Sequence, residues 1–188
     1  DDGLSDMLIG APGPSSANNG GIGSGGGAVY LVLGRSSGAL VPGGIREVQI
    51  SEANVDRTFY STNAWDSVGE SVAWAGDVNG DGYDEILIGA PHYGNNEGRV
   101  YLLDGQTIAN PVVSSSGCPG TFCRDLSNLT SSDTTFTGAA DSKLGAVIAA
   151  GKDITGDGRP DLALASPNEN TVYLWFSDIL NSSSSTPS

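Results

Sequence analysis

The stretch Asp77–Pro91, DVNGDGYDEILIGAP, decides the fold. It recurs as DITGDGRPDLALASP over Asp153–Pro167 and, shortened, as DDGLSDMLIGAP over Asp1–Pro12. In each copy, oxygen-bearing side chains alternate along a tight glycine-containing loop and give way at once to a short apolar run. A hard cation such as Ca²⁺ takes six to eight oxygens at roughly 2.3–2.6 Å, and a loop of this composition can supply them. With Asp77 as position 1, the side chains of Asp77, Asn79 and Asp81 fall at positions 1, 3 and 5. Tyr83 offers its backbone carbonyl at position 7, and Glu85 falls at position 9. Gly82, at position 6, allows a sharp turn without a Cβ penalty. The matching set in the last copy is Asp153, Thr155, Asp157, Arg159 through its carbonyl, and Asp161. Its neutral Thr155 hydroxyl stands where Asn or Asp is usual, so this site is expected to be the weaker. The first copy keeps Asp2, Leu4 through its carbonyl, and Asp6, which are too few ligands by themselves.

Two other readings compete. An EF-hand shares the DxNxDG opening but needs a bidentate Glu at position 12 and a helix on each side. Position 12 is Ile88 in one copy and Leu164 in the other, and EILIGAP and DLALASP are short apolar runs stopped by Pro, a strand pattern. An Asp/Gly-rich turn that binds nothing is the second competitor. Two complete copies with acids at positions 1, 5 and 9 argue against it.

The full units run VGESVAWAGDVNGDGYDEILIGAP from Val68 and LGAVIAAGKDITGDGRPDLALASP from Leu144. This resembles the FG-GAP repeat of integrin α-subunit β-propellers. Val68-Gly69 and Leu144-Gly145 stand at the family's Phe-Gly, Gly89-Ala90-Pro91 is the GAP element, and Ala165-Ser166-Pro167 is a degenerate form of it. The resemblance implies an all-β chain of four-stranded antiparallel propeller blades, with a Ca²⁺ loop joining the first and second strands of each blade.

Internal repeats of this kind signal propellers or solenoids. From Asp2 to Asp81 and from Asp81 to Asp157 the spacings are 79 and 76 residues, long for one blade. The excess lies in a Gly/Ser/Asn-rich insert after Pro12 and in a loop between Asp104 and Thr134 that holds both cysteines. Predicted strands cover residues 6–11, 28–33, 46–50, 68–75, 85–90, 99–103, 134–137, 144–150, 161–165 and 171–176. In blade terms the order is 2-3-4, then 1-2-3-4, then 1-2-3, in units of about 1–60, 61–138 and 139–180. About two and a half to three blades cannot close a propeller of four to eight. Further blades of the same polypeptide, or other chains, are therefore expected to complete the open sheets, and an arrangement that does not close would build a filament.

The 188 residues include 28 Gly and only 16% charged residues, which suits short strands joined by turns. A net charge of −14 argues against nucleic acid, whose binders carry basic patches, and no apolar run is long enough to span a membrane. Cys118 and Cys123 flank a Pro-Gly turn, and in an oxidising compartment a pair this close is expected to form a local disulfide. So small a ring restrains the unfolded chain by only ~2 kcal/mol. Sequons at Asn128 and Asn181 suggest the same extracellular setting, with covalent glycans on the chain. Residues 181–188, NSSSSTPS, read as a linker or stalk.

Catalysis has little support. His92 follows the GAP element in a loop, no GxSxG is present, and Gly21–Gly26 fits GxGxxG but leads into the strand AVYLVL rather than a helix. The expected function is an adhesive or structural calcium-binding module at the cell surface. An accessory propeller of a secreted enzyme whose catalytic domain lies elsewhere is one alternative. A glycan-binding module is another, which a face lined by Trp65, Trp74 and Trp175 would favour. The resemblance to the FG-GAP family implies partner-binding loops on the face away from calcium, which here would be the inserts around 18–27 and 111–132.

Overall fold

The computed structural model of the protein describes residues 3–13, 25–34, 55–110 and 122–177. Strands β1 (Met7–Ala11), β2 (Ala28–Val32) and β3 (Arg57–Tyr60) form one antiparallel set. Next come β4 (Ser71–Gly76), β5 (Glu85–Ala90) and β6 (Arg99–Leu103). The short β7 (Cys123–Asp125) follows, and β8 (Thr134–Thr137) completes the second sheet in the order β4-β5-β6-β8. The third sheet holds β9 (Val147–Lys152), β10 (Asp161–Ser166) and β11 (Thr171–Trp175), with β10 central. Helical structure among the described residues is confined to single turns. The chain is thus all-β, a set of propeller blades left open.

The middle blade shows why the sequence pattern is a run rather than an alternation. Every residue of β5 is buried, because a neighbouring blade covers each face of its sheet. On one face Ile86, Ile88, Tyr101 and Leu103 pack with Val29, Leu31 and Phe59 of the first blade. On the other, Ala75, Leu87, Val100 and Leu102 pack with Leu144, Leu162 and Leu164 of the third. Each fully buried Leu, Ile or Phe contributes about 1.5–3 kcal/mol, so these two seams hold the blades together.

Glycines set how closely the blades approach. A Cβ on Gly10 would stand 2.0 Å from the carbonyl oxygen of Gly69, and one on Gly89 would stand 2.1 Å from that of Gly145. The Gly of each GAP element therefore meets, backbone to backbone, the second motif Gly of the next blade. That second Gly donates within its own blade, Gly69 N–H to Gly89 O at 2.9 Å and Gly145 N–H to Ala165 O at 3.0 Å. Val68 and Leu144 just before it bridge back to Gly27 and Gly98 of the preceding blade.

Two features depart from the strand expectations. The fourth strand of the first blade is Arg57–Tyr60, while residues 46–50 lie outside the described residues. The outer edge of that sheet is β7, taken from the insert and parallel to β3, with Thr58 opposite Cys123 and Tyr60 opposite Asp125. Residues 68–70 and 144–146 precede their strands as a bridge and turn and do not belong to them.

The turns that enter β4 and β9 repeat the same backbone. Trp65 and Ser67 have φ of 77° and 56°, and Asp141 and Lys143 have 60° and 56°. Asp tolerates this left-handed region; Trp does not, at a cost of roughly 1–2 kcal/mol. Trp65 is 75% exposed, so its packing offsets little of that strain. Trp65→Asn is expected to raise stability by about 1 kcal/mol, read as a higher urea midpoint at unchanged slope. An unchanged midpoint would show that the indole makes up the strain elsewhere.

Candidate metal centre

The loop 77–84 joins β4 to β5, and the loop 153–160 joins β9 to β10. In both, the first carboxylate folds the loop around itself. Asp77 accepts hydrogen bonds from the N–H groups of Gly80 (2.6 Å), Asp81 (3.0 Å) and Gly82 (2.9 Å). Asp153 accepts from Gly156 (2.6 Å), Gly158 (2.8 Å) and the Thr155 hydroxyl (3.3 Å), and the backbone donors hold its carboxyl below the usual range. Asp81 and Asp157 accept from the N–H of Tyr83 and Arg159, each at position 7.

The ninth-position acids share a second role that sequence reading missed. Glu85 accepts from Val78 N–H (3.0 Å), Asn79 N–H (3.3 Å) and the Asn79 side chain (3.2 Å), and reaches across to Gly105 N–H at 3.2 Å. Asp161 accepts from Ile154 (2.8 Å), Thr155 (3.2 Å) and, across the sheet, Ser177 (3.2 Å). Asp6 accepts from Gly34 at 2.7 Å. Gly34, Gly105 and Ser177 all sit two residues past the end of the blade's third strand. The ninth carboxylate thus clamps the loop to the neighbouring strand end in all three blades.

In the middle blade the strand end adds an acid of its own. Asp104 is buried, caps the helical turn Gly105–Ala109 through Thr107 N–H at 2.7 Å, and lies next to the Glu85 clamp. Asp81, Glu85 and Asp104 each place a carboxylate oxygen within 4.8 Å of the others. Burial pushes Glu85 up to about 7, against hydrogen bonds from Gly105, Val78 and Asn79 that pull it down. Three acids converging in a half-buried pocket repel one another, and an all-oxygen donor set of this kind fits a hard divalent cation. The third blade has Phe176 where the second has Asp104, and no other such group of three occurs among the described residues.

Other expected site residues fall as follows. Asp77 and Asn79 lie in the same loop as the cluster, but their side chains are engaged with loop N–H groups and with Glu85. Arg159 extends its guanidinium to the preceding blade's loop, donating to the Asn79 carbonyl at 3.3 Å. Leu4 is exposed, while Asp2, Cys118 and Asn181 lie outside the described residues. Cys123 is buried in β7 and disulfide-bonded. Asn128 is exposed in the turn after β7. Trp175 packs edge-on against Phe136 with ring centroids 4.8 Å apart, so the three tryptophans do not share one open face.

Comparison with known proteins agrees with this geometry. The FG-GAP repeat model matches residues 68–103 and 144–175, the two blades whose loops and glycine contacts have just been described. The chain is 32% identical over 105 residues to integrin alpha-4 of Xenopus laevis, covering 56% of this chain and 8% of that protein. It is 28% identical over 178 residues to integrin alpha-PS2 of Drosophila melanogaster, covering 94% of this chain and 11% of that protein. Against human integrin alpha-X it is 34% identical over 100 residues, covering 53% and 8% respectively. Residues 68–103 and 144–175 thus carry FG-GAP repeats, and the chain is similar to integrin α-subunits, spanning only a small part of the length of these relatives.

Proposed function

We propose that this chain is a calcium-stabilised FG-GAP segment of an extracellular or cell-surface protein with an adhesive or structural role. The observation that carries the reading is the convergence of Asp81, Glu85 and Asp104 at one end of a matched FG-GAP repeat. Asp77, Asn79, Asp81, Glu85 and the Tyr83 carbonyl would hold Ca²⁺ there, with Asp104 close by. Bound Ca²⁺ supplies the positive charge that these acids lack. Asp153, Thr155, Asp157, Asp161 and the Arg159 carbonyl would form a weaker site without an equivalent of Asp104, and Asp2, Leu4 and Asp6 the remnant of another. Extracellular calcium modules commonly bind at about 10⁻⁴–10⁻³ M, and this segment belongs in that range.

The relatives' names place them among integrins, which supports partners that are proteins: further blades or other chains that complete the open sheets. No catalytic role is assigned to this segment. A Cys118–Cys123 disulfide and glycans at Asn128 and Asn181 fit the same compartment. Blade units of about 1–60, 61–138 and 139–180, followed by a linker over 181–188, complete the organisation proposed.

A ligand that binds only the folded state stabilises it by RT ln(1 + [L]/Kd), about 2.7 kcal/mol at one hundred times Kd. The melting temperature is therefore expected to rise with added calcium and to fall on chelation. Asp81→Ala should remove most of that response, and Asp157→Ala a smaller part. A melting temperature unmoved by calcium and chelator alike would overturn the calcium reading.

A further inference from the structure

The two complete loops touch each other, and Arg159 makes the contact. It is half-buried and carries its side chain from the third blade's loop to the second's, where Nη1 donates to the Asn79 carbonyl at 3.3 Å. The guanidinium lies against the Gly80 backbone, since a Cβ on Gly80 would stand 2.7 Å from Nη2 and 3.0 Å from Cζ. The next residue, Pro160, leans in the same way on Gly76, where a Cβ would stand 2.7 Å from its Cγ. The loop 153–160 is therefore seated on the loop 77–84 and on the strand end that leads into it.

Arg159 holds a single peptide unit. The Asn79 carbonyl and the Gly80 N–H belong to the same peptide, and that N–H donates to Asp77 at 2.6 Å. A charged donor on the carbonyl polarises the peptide and strengthens the bond its N–H makes on the far side. Arg159 thus orients the donor that fixes the first-position carboxylate. Among the described residues the guanidinium donates to this carbonyl and to no carboxylate of either loop, so it orients the second loop without neutralising it. The backbone of the same residue belongs to the third loop. Its N–H donates to Asp157 at 2.8 Å, and its carbonyl is that loop's seventh-position oxygen.

We propose that Arg159 is a positioning residue that couples the two loops, so that a cation held by the third loop strengthens cation binding in the second. The proposal rests on the calcium reading of both loops and adds how one governs the other. A cation held by Asp157 and the Arg159 carbonyl fixes the backbone from which this side chain starts. Ordering an Arg side chain costs up to about 2 kcal/mol of rotamer freedom, and part of that cost is then met before the second loop binds. Coupling of this kind is reciprocal, so a filled second loop strengthens the third by the same factor.

The test follows calcium binding to the whole chain by NMR at the amide signals of Gly82 and Gly158, one in each loop. Asp157→Ala disables the third loop and is expected to weaken calcium binding at Gly82 about fivefold, the low end of ordinary coupling between sites. Arg159→Met keeps an unbranched stem and the seventh-position carbonyl but removes the donor, and should weaken binding at Gly82 to the same extent. Adding Asp157→Ala to it should then cost Gly82 nothing further. Arg159→Lys keeps a charged donor and should restore most of the coupling, which packing alone would not do. With calcium chelated, the Gly80 N–H should exchange faster in Arg159→Met than in wild type, a readout that needs no metal. Calcium that shifts neither glycine in wild type fails the calcium reading and this proposal with it. Binding at both glycines, with a Gly82 midpoint unmoved by Asp157→Ala or by Arg159→Met, overturns the coupling alone. So does calcium at one glycine only, or unchanged exchange at Gly80. Tighter binding at Gly82 in Arg159→Met overturns it too, because the guanidinium would then act only as a competing charge.

Discussion

Asp133→Asn is expected to cost roughly 3–5 kcal/mol, the range for removing one partner from a buried ion pair. For a domain of this size that is a fall of roughly 6–20 °C in melting temperature. The side chain of Asp133 is fully buried and pairs with Arg124, itself almost enclosed. The same carboxylate accepts from Asp104 N–H at 3.1 Å, Thr130 N–H at 2.6 Å and the Thr130 hydroxyl at 2.7 Å. It therefore ties together the end of β6, the start of β8 and the β7 turn. Through β7 it also fixes the edge of the first blade's sheet. Burial pushes the Asp133 carboxyl up, but Arg124, then Thr130 and Asp104, outweigh it and hold the carboxyl below its ordinary value. A depressed folded pKa gives stability that is complete above the unfolded pKa and is lost as pH falls through the folded one. The gap in stability between wild type and Asp133→Asn should thus be widest near neutral pH and narrow under acid conditions below the usual aspartate range. Urea titrations of both proteins across pH measure it. A gap independent of pH would show that the hydrogen bonds matter and the charge does not.

Gly89→Ala is expected to cost about 3 kcal/mol, the upper part of the range for overpacking a filled seam. The added methyl would stand 2.1 Å from the Gly145 carbonyl oxygen and 2.3 Å from the Ser71 hydroxyl, which donates to that same carbonyl at 2.6 Å. The nearer of the two groups is a backbone carbonyl, so relief requires moving one blade against the other. The third blade should then open before the rest of the chain, seen as selective loss of hydrogen-exchange protection over β9–β11. Gly82→Ala is the control. It meets nothing within 4 Å and carries only the strain of a φ of 90°, expected to be about 1 kcal/mol. Equal losses at Gly82 and Gly89 would show that contact between blades is not what position 89 requires.

The repeat made most of this architecture legible. Spacing along DVNGDGYDEILIGAP marked the loop and the strand after it, because each follows from a local backbone demand. What escaped depended on pairing at long range. The fourth strand of the first blade is Arg57–Tyr60 rather than residues 46–50, and the sequence carries a signal for it: TFYSTNAWDSVG at 58–69 parallels TFTGAADSKLG at 135–145. Strand β7 has three residues and no period to read. Asp104 is 19 residues from Glu85 in sequence and reaches it only because β5 and β6 pair with Ile86 opposite Leu103. The signal that could have found it was an Asp directly after a strand, a residue type suited to cap a helical turn.

The ninth-position clamp has an evolutionary side. Because Asp6, Glu85 and Asp161 each accept from a backbone donor at a neighbouring strand end, a copy that drifts at its third or fifth position would still keep that clamp. On the proposed calcium reading, cation binding could be lost from one blade and retained in the next without any blade being discarded. Selection can therefore adjust how many ions such an array holds while leaving its length and shape untouched.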